Sequence, residues 1–262
     1  MKRLVAVLAP VALIALLLGA WEVACRLLAI PAYFLPPPSA VAAALAADAG
    51  TLTRSALNTL AMAMAALVVA AAAALGLALV SALSFTVERA VRPLALALQV
   101  TPMIAVAPLI AIWAGVAHPE RAVVALASLA AFFPIFSGAL TGLQSADHDL
   151  HRLFALYGAS RRQTLFRLRV PASAPFVVEG LRVAAGLAVI GAVVAEFVAG
   201  SGAAQGLAWR ILEAGNRLQT ARMLAAIVAL ALLAGLLHMA FTFVERRFFA
   251  RWLANKNALG VD

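Results

Sequence analysis

Four long stretches of this 262-residue chain contain no aspartate, glutamate, lysine or arginine. They are residues 55–87, 93–117, 122–146 and 223–244. A helix rises about 1.5 Å per residue, so roughly 20 residues cross the hydrocarbon core of a bilayer, and each stretch is long enough. Only 12% of the chain is charged, against about a quarter in a soluble domain. The chain is therefore predicted to be an integral membrane protein.

Two weaker segments complete the expected set of spans. Leu4–Trp21 is uncharged after Lys2 and Arg3, and Val183–Ala195 is apolar between two charged residues. The first segment is read as a retained span, because its apolar run exceeds the roughly 7–15 residues of a signal peptide. The expected fold is an all-α, polytopic membrane helical bundle of about six transmembrane helices. Residues 1–53 would hold the first span and an extracytoplasmic segment, and residues 54–262 the transmembrane domain.

The distribution of basic residues predicts the orientation. With the N-terminus inside, fourteen of the 20 lysines and arginines lie on the cytoplasmic side and the remaining six lie outside. Basic residues accumulate in short cytoplasmic loops, so both termini are predicted to be cytoplasmic. The formal charge of +9 then reflects topology and contact with anionic membrane lipid, and not binding of nucleic acid.

The third and fourth predicted spans carry the candidate residues for a solute path. Pro102 and Pro108 should break the third span, and broken helices are tolerated in membranes only where protein or a water-filled cavity surrounds them. This helix is therefore expected in the interior of the bundle. The polar or aromatic side chains predicted to line a path there are Gln99, Thr101, Phe132, Phe133 and Ser137.

Glu196 is a further candidate, in the fifth predicted span. It follows Gly180, Ala184, Ala188 and Ala192 at steps of four, so it shares a small-residue face suited to close helix packing. Two readings stay open for it: a role near an outer gate or dimer seam, or a carboxylate in the outer headgroup layer. At the other end of this span, Glu179 and Arg182 are predicted to form an ion pair.

The polar segment of about residues 144–176 is far longer than the other predicted inner loop, Ser84–Arg92. Leu150, Leu153, Phe154 and Tyr157 form an apolar stripe on a short helix that Gly158 should end. A second helix is predicted from Ser160, with Pro171 and Pro175 stopping it. The pair of helices could lie on lipid or dock a soluble partner, and the pattern alone does not decide.

The sequence offers no enzyme site. It has no phosphate-binding loop of the Gly-x-x-x-x-Gly-Lys type, and its only lysines are Lys2 and Lys256. The single cysteine, Cys25, forms no metal site by itself, and no pair of histidines is predicted to bind a metal. On the presumed outer side, Ser39 is predicted to cap a short helix, Ala40–Ala47.

At this point the sequence resembles the permease subunits of binding-protein-dependent ABC importers of type I, in the branch for sulfonates, nitrate and taurine. That family carries Glu-Ala-Ala, three residues, Gly, nine residues, then Ile-x-Leu-Pro. Here Gly158 and Leu168-Arg169-Val170-Pro171 keep the spacing, while Arg152-Leu153-Phe154 replaces Glu-Ala-Ala. Asp147 or Asp149 could supply the missing acid as a helix cap. Further matching fragments are Trp21-Glu22, Leu35–Val41, Thr101-Pro102, Ala107–Leu109, Trp113, Gly180–Arg182, Val193–Phe197 and Gly206–Trp209.

The resemblance implies a permease that forms a homodimer in a bacterial inner membrane. Each copy would dock one ABC ATPase subunit, which binds ATP and Mg, and the dimer would receive solute from an extracytoplasmic substrate-binding protein. This chain would hold no cofactor, and its cargo would be a small organic solute or anion, either sulfonate-, nitrate- or taurine-like or a heterocyclic vitamin precursor. Two alternatives are a self-sufficient secondary transporter and a membrane scaffold that does not transport. The expected ATPase-coupling residues are Leu153, Phe154, Tyr157, Gly158, Ala159, Ser160, Arg161, Leu165 and Pro171.

Overall fold

The structure is a computed structural model that describes residues 2–115, 118–199 and 205–258. The described residues form helices and connecting turns, with no strand among them. The elements are α1 (Lys2–Leu27), α2 (Pro38–Ala47), α3 (Ala49–Leu83), α4 (Phe85–Val100), α5 (Met103–Ala114), α6 (Pro119–Gln144), α7 (His148–Leu156), α8 (Arg161–Thr164), a π-helical segment (Leu165–Arg169), α9 (Val170–Ala199), α10 (Leu207–Asn216) and α11 (Thr220–Ala258).

The described helices confirm the prediction of an all-helical chain with about six spans. Five are long and apolar enough to cross a membrane, and a sixth is present if α4 and α5, bent by 102° at their junction, form one span. The five are Ala9–Leu27, Ala49–Leu83, Pro119–Gln144, Arg161–Val198 and Thr220–Phe249. The predicted end of the third span at residues 116–117 lies outside the described residues.

Two predicted boundaries are wrong. Residues 84–92 were expected to form a loop, but α4 already begins at Phe85 and contains Pro93. An absence of charge delimited the predicted span, whereas α4 begins with a charged, amphipathic turn that includes Glu88. In the proline-rich segment after α1, the short helix begins at Pro38, with Pro37 as its N-cap, and Ser39 does not cap it.

The prolines of the polar loop also do not end a helix there. The chain is helical from Arg161 through the π-helical segment and Pro171 to Ala199. Proline lacks an N–H and its ring collides with the carbonyl four residues earlier in a regular helix. Immediately before Pro171, the Val170 N–H donates to the carbonyl of Leu165, five residues back, so a wider turn precedes the proline. The fifth span and the second half of the loop are therefore one helix.

The chain divides into two compact units, Met1–Leu57 with Gln205–Leu232, and Asn58–Ala204 with Leu233–Asp262. In the first unit, Glu22 of α1 accepts hydrogen bonds from the Ser39 N–H and hydroxyl at 2.9 and 2.8 Å. This carboxylate holds the first turn of α2, and Ser39 lies inside that turn, not at the N-cap position, which Pro37 occupies. The predicted division at residues 53 and 54 stays a prediction.

In the second unit, α6 and α9 pack so closely that side chains are excluded from part of their interface. A Cβ atom on Gly180 would lie 2.8 Å from the Pro134 carbonyl oxygen, and one on Gly142 would lie 2.8 Å from the Ser173 Cα. The predicted small-residue face is confirmed, because Ala184, Ala188 and Ala192 are almost completely buried. Small residues let the backbones approach, which is how helices associate in lipid.

Candidate functional site

A sharp break separates α4 from α5. The helices meet at 102° across Thr101 and Pro102, and the Thr101 hydroxyl donates to the Ala97 carbonyl at 2.7 Å. The same carbonyl accepts the Thr101 backbone N–H at 3.1 Å, so both donors of Thr101 close the end of α4. The predicted break at Pro102 is thus confirmed, whereas Pro108 lies inside α5 without ending it. Pro102 is exposed and Thr101 half-buried, so the single chain does not enclose this irregular backbone as the sequence predicted.

A cavity of about 450 Å³ lies at the break, between residues of α4, α5, α6 and α9. Its polar groups are the Gln99 amide and the Thr101 hydroxyl, and its aromatic groups are Trp113 and Phe133. The remaining lining is aliphatic, methionine or proline, and no lining residue is charged. The cavity therefore offers flat apolar surface with a few hydrogen-bonding groups, as small-molecule sites commonly do.

A second cavity of about 280 Å³ shares Phe133 with the first. Ser137 and Phe136 line it, together with Arg92, whose side chain is exposed. Four predicted path residues are thereby brought to two cavities with a common wall: Gln99, Thr101, Phe133 and Ser137.

The other two predicted path residues do not line these cavities. The Phe132 ring stacks on Phe136, with centroids 5.6 Å apart and planes 10° from parallel. Glu196 is 3% exposed and accepts a hydrogen bond from the Thr59 hydroxyl at 3.1 Å. Its carboxylate is enclosed by protein, which favours a packing role between α3 and α9 over a position in open headgroups.

Sequence reasoning missed residues that the fold brings in from elsewhere. Trp113 of the first cavity was noted only as a fragment that matches the family, and not as a candidate for the path. Arg182 was predicted to pair with Glu179, but it pairs with Glu245 of α11 at 3.0 Å. Helical spacing reveals only partners on the same helix. The one available signal for Glu245 was that it ends the uncharged stretch 223–244.

The polar loop forms the predicted corner of two helices. Asp147 caps α7 by accepting the Asp149 N–H at 2.7 Å, in the place where the sequence suggested an acid. Gly158 ends this helix with a φ of +65°, a conformation that glycine adopts without strain. Ser160 then starts α8 with a reciprocal capping box to Gln163.

The corner presents an apolar surface with a shallow hollow. Tyr157 is 82% exposed, Leu153 is 44% exposed, and Phe154 is half-buried. These three side chains, with Ala159, Gln163 and Arg167, line a hollow of about 290 Å³. Leu165 differs from the other predicted coupling residues, because it is only 1% exposed and lies inside the chain.

Arg167 lines the hollow, and further arginines are exposed on the same two helices. Arg161, Arg162 and Arg167 are exposed, and Arg152 makes only a long contact to Asp149, with 3.5 Å between nitrogen and oxygen. The residue that replaces the family's glutamate is therefore a solvated cation on the loop surface.

A charged cavity in the first unit is a different kind of feature. Glu213 pairs with Arg210 at 2.9 Å and with Arg217 at 3.1 Å, and Asp48 pairs with Arg222 at 2.9 Å. Its guanidinium groups are engaged by carboxylates of the same chain. We assign it to joining α10 with the first turns of α3 and α11.

Together these features define a class of protein. A polytopic helical chain with a broken span, an uncharged cavity at the break and a polar helical corner has the architecture of a membrane transport subunit. The chain belongs to the family described as the binding-protein-dependent transport system inner membrane component, whose sequence model matches residues 72–250.

Individual relatives cover most of the chain. The formylaminopyrimidine transport permease protein ThiX of Halalkalibacterium halodurans is 36% identical over 80% of this chain and 82% of the relative. The riboflavin transport system permease protein RibX of Chloroflexus aurantiacus is 35% identical over 94% of this chain and 90% of the relative. The taurine transport system permease protein TauC of Escherichia coli is 32% identical over 89% and 86%.

The chain is therefore a multi-pass inner-membrane permease of a binding-protein-dependent ABC transporter. It is not catalytic, ATP is bound and hydrolysed by a separate ATPase, and the system includes a substrate-binding protein. Membership in this family decides against the secondary transporter and the scaffold.

Proposed function

We propose that two copies of this permease form the solute path of an importer, and that the path runs past the break between α4 and α5. The observation that carries this proposal is the uncharged cavity at the break, lined by Gln99, Thr101, Trp113 and Phe133. It lies beside irregular backbone, the feature by which transport proteins expose hydrogen-bonding groups at membrane depth.

The surface around the break supports a homodimer. Val100, Ile104 and Trp113 are 78%, 67% and 75% exposed in the single chain. Irregular backbone at membrane depth is stable only against protein or a water-filled cavity, so this face cannot remain against lipid. A second copy related by a two-fold axis would cover it and enclose an aqueous path, in the commonest symmetry of homo-oligomers.

The first cavity, which no charged residue lines, favours an uncharged, flat solute over an anion; Arg92 lines only the second cavity. A sulfonate carries a fixed negative charge, and burying an ion without a partner is costly. Trp113 and Phe133 provide faces for a planar ring, while Gln99 and Thr101 provide hydrogen bonds. The relatives named for formylaminopyrimidine and riboflavin transport are 36% and 35% identical, against 28–32% for those named for taurine or aliphatic sulfonate transport. We therefore place the cargo among heterocyclic vitamin precursors.

The proposal is tested on the complete transporter, reconstituted in proteoliposomes with its ATPase and binding protein. We expect ATP-dependent uptake of a pyrimidine or related heterocycle and none of taurine, and a native mass containing two copies of this chain and two ATPase subunits. Phe133→Ala should lower uptake about fivefold, since an aromatic contact contributes about 1 kcal/mol and about 1.4 kcal/mol is tenfold. Phe132→Ala serves as the matched control from outside the cavities. Uptake of taurine alone, or a complex with one copy of this chain, would overturn the proposal.

The corner at α7 and α8 is the proposed docking surface for the ATPase. Leu153, Phe154 and Tyr157 supply its apolar contacts, and Arg161 lies at the rim. Gly158, Ala159 and Ser160 set the angle between the helices. Leu165 anchors the corner from inside the chain, whereas Pro171 is exposed and follows the wider turn. The competing possibility, an amphipathic helix lying on lipid, predicts that the ATPase does not bind here.

We also propose that both termini are cytoplasmic, which places the corner on the side of the ATPase. The support is the excess of basic residues on that side in short loops. A reporter enzyme fused after Asp262 is expected to be active inside the cell. Activity confined to the outside would reverse the orientation and remove the corner from the reach of the ATPase.

A further inference from the structure

Arg169 connects three helices of the second unit, at the end where the polar loop lies. Its Nε donates to the Leu143 carbonyl at 2.7 Å, and its Nη1 donates to the Ala82 carbonyl at 3.0 Å. Leu143 lies in the last turn of α6 and Ala82 in the last turn of α3. Carbonyls in a last turn have no N–H partner within their own helix. One half-buried guanidinium thus binds the ends of two helices at once.

The same residue is rigidly connected to the proposed docking surface. Arg169 ends the π-helical segment of the helix that runs on from Arg161, and the first turns of that helix contribute Gln163 and Arg167 to the hollow. Leu165 and Leu168 bury the opposite side of these turns. A push on the hollow therefore moves Arg169 with it, because no loop intervenes.

From the end of α6 the connection continues toward the cavity. The Gln144 side-chain amide donates to the Glu88 carboxylate at 2.7 Å, which joins the end of α6 to the first turn of α4. At its other end, α4 carries Gln99 and the break at Thr101. A continuous series of hydrogen bonds and helices thus runs from the hollow to the wall of the cavity.

We propose that Arg169 is a positioning residue that transmits the movement of the docked loop to α3 and α6, and through Gln144 and Glu88 to α4. The inference rests on the proposed function of the corner. Apolar contacts such as those of Leu168 allow sliding, whereas a planar guanidinium with two directed bonds holds both helix ends in one geometry. The arginine acts through the helices and does not contact solute.

The test measures coupling and not uptake alone. Complete transporters carrying Arg169→Gln, Arg169→Lys or the control Arg246→Gln are reconstituted, and solute uptake, ATP hydrolysis and ATPase co-purification are measured in each. Arg246 is an exposed arginine of α11 outside the docking surface. We expect Arg169→Gln to bind the ATPase and hydrolyse ATP while transporting about tenfold less solute per ATP. Arg169→Lys should fall between, since it keeps the charge but loses the fixed pair of donors.

The possible outcomes separate this inference from the proposed function. An unchanged ratio of solute to ATP in Arg169→Gln, or a loss of uptake in strict proportion to lost assembly, would show that Arg169 only stabilises helix ends. If Arg169→Gln does not accumulate, the ratio in Arg169→Lys decides in the same way. A wild-type transporter without ATP-dependent uptake would instead overturn the proposed function.

Discussion

Truncation of Tyr157 or Phe154 to alanine is expected to release the ATPase while leaving the permease inserted in the membrane. Both side chains line the hollow, and Tyr157 is 82% exposed in the single chain. Its removal should therefore cost the permease little stability of its own. Truncating an aromatic anchor in a protein interface commonly costs over about 2 kcal/mol, which is more than a tenfold loss of affinity. Co-purification of the ATPase and solute uptake are the measurements.

The arginines of the rim are the matched controls. Arg161→Ala and Arg162→Ala should change ATPase binding far less, because exposed ion pairs contribute about 0–1 kcal/mol. Normal ATPase binding and uptake in both aromatic variants, together with losses in the arginine variants, would show that docking is electrostatic. Leu165→Ala is unsuitable for this comparison, because its buried side chain stabilises the permease itself.

Gly180→Ala is expected to destabilise the permease, and Gly186→Ala on the same helix is not. A Cβ atom at Gly180 would meet the Pro134 carbonyl oxygen at 2.8 Å and the Ile135 Cα at 3.3 Å. Both are backbone atoms of α6 and cannot rotate away, so the two helices must separate. Overpacking of this kind costs about 1–3 kcal/mol and should lower the thermal unfolding midpoint in detergent.

Gly186 offers a control from the same helix. No atom lies within 4 Å of a Cβ built there, and alanine is favoured over glycine in a helix by up to about 1 kcal/mol. Gly186→Ala should therefore unfold at the wild-type temperature or slightly above. Equal midpoints for the two variants would mean that the close approach of α6 and α9 is not a determinant of stability.

Local signals in the sequence were sufficient for several features of the site. The prolines of the third span predict a break, and one is present at Pro102, although Pro108 has the same chemistry and lies inside α5. Asp147, Gly158 and Ser160 set the corners of the loop through bonds and dihedral angles that involve their near neighbours. Such features depend on interactions within about four residues, so residue order alone reveals them.

Other features required contacts that no spacing shows. Leu165 has the same character as Leu153 in the sequence, yet one is buried and the other is at the surface. Pro171 resembles Pro102 as a helix-breaking signal, but the π-helical turn before it lets the helix continue. In each case the surroundings decide between two outcomes that are locally similar in energy.

The sequence by itself determined that this protein lies in a membrane, the number and approximate positions of its spans, the presence of a break in the third span, and the family to which it belongs. These follow from charge-free length, from proline chemistry and from motif spacing, which are properties of the chain as written. Only the tertiary structure decided that Gln99, Thr101 and Phe133 share a cavity while Phe132 does not, that Arg182 pairs with Glu245, and that Arg169 binds the ends of α3 and α6. The reason is physical: these contacts join residues far apart in the chain, and their geometry exists only once α6 and α9 have packed.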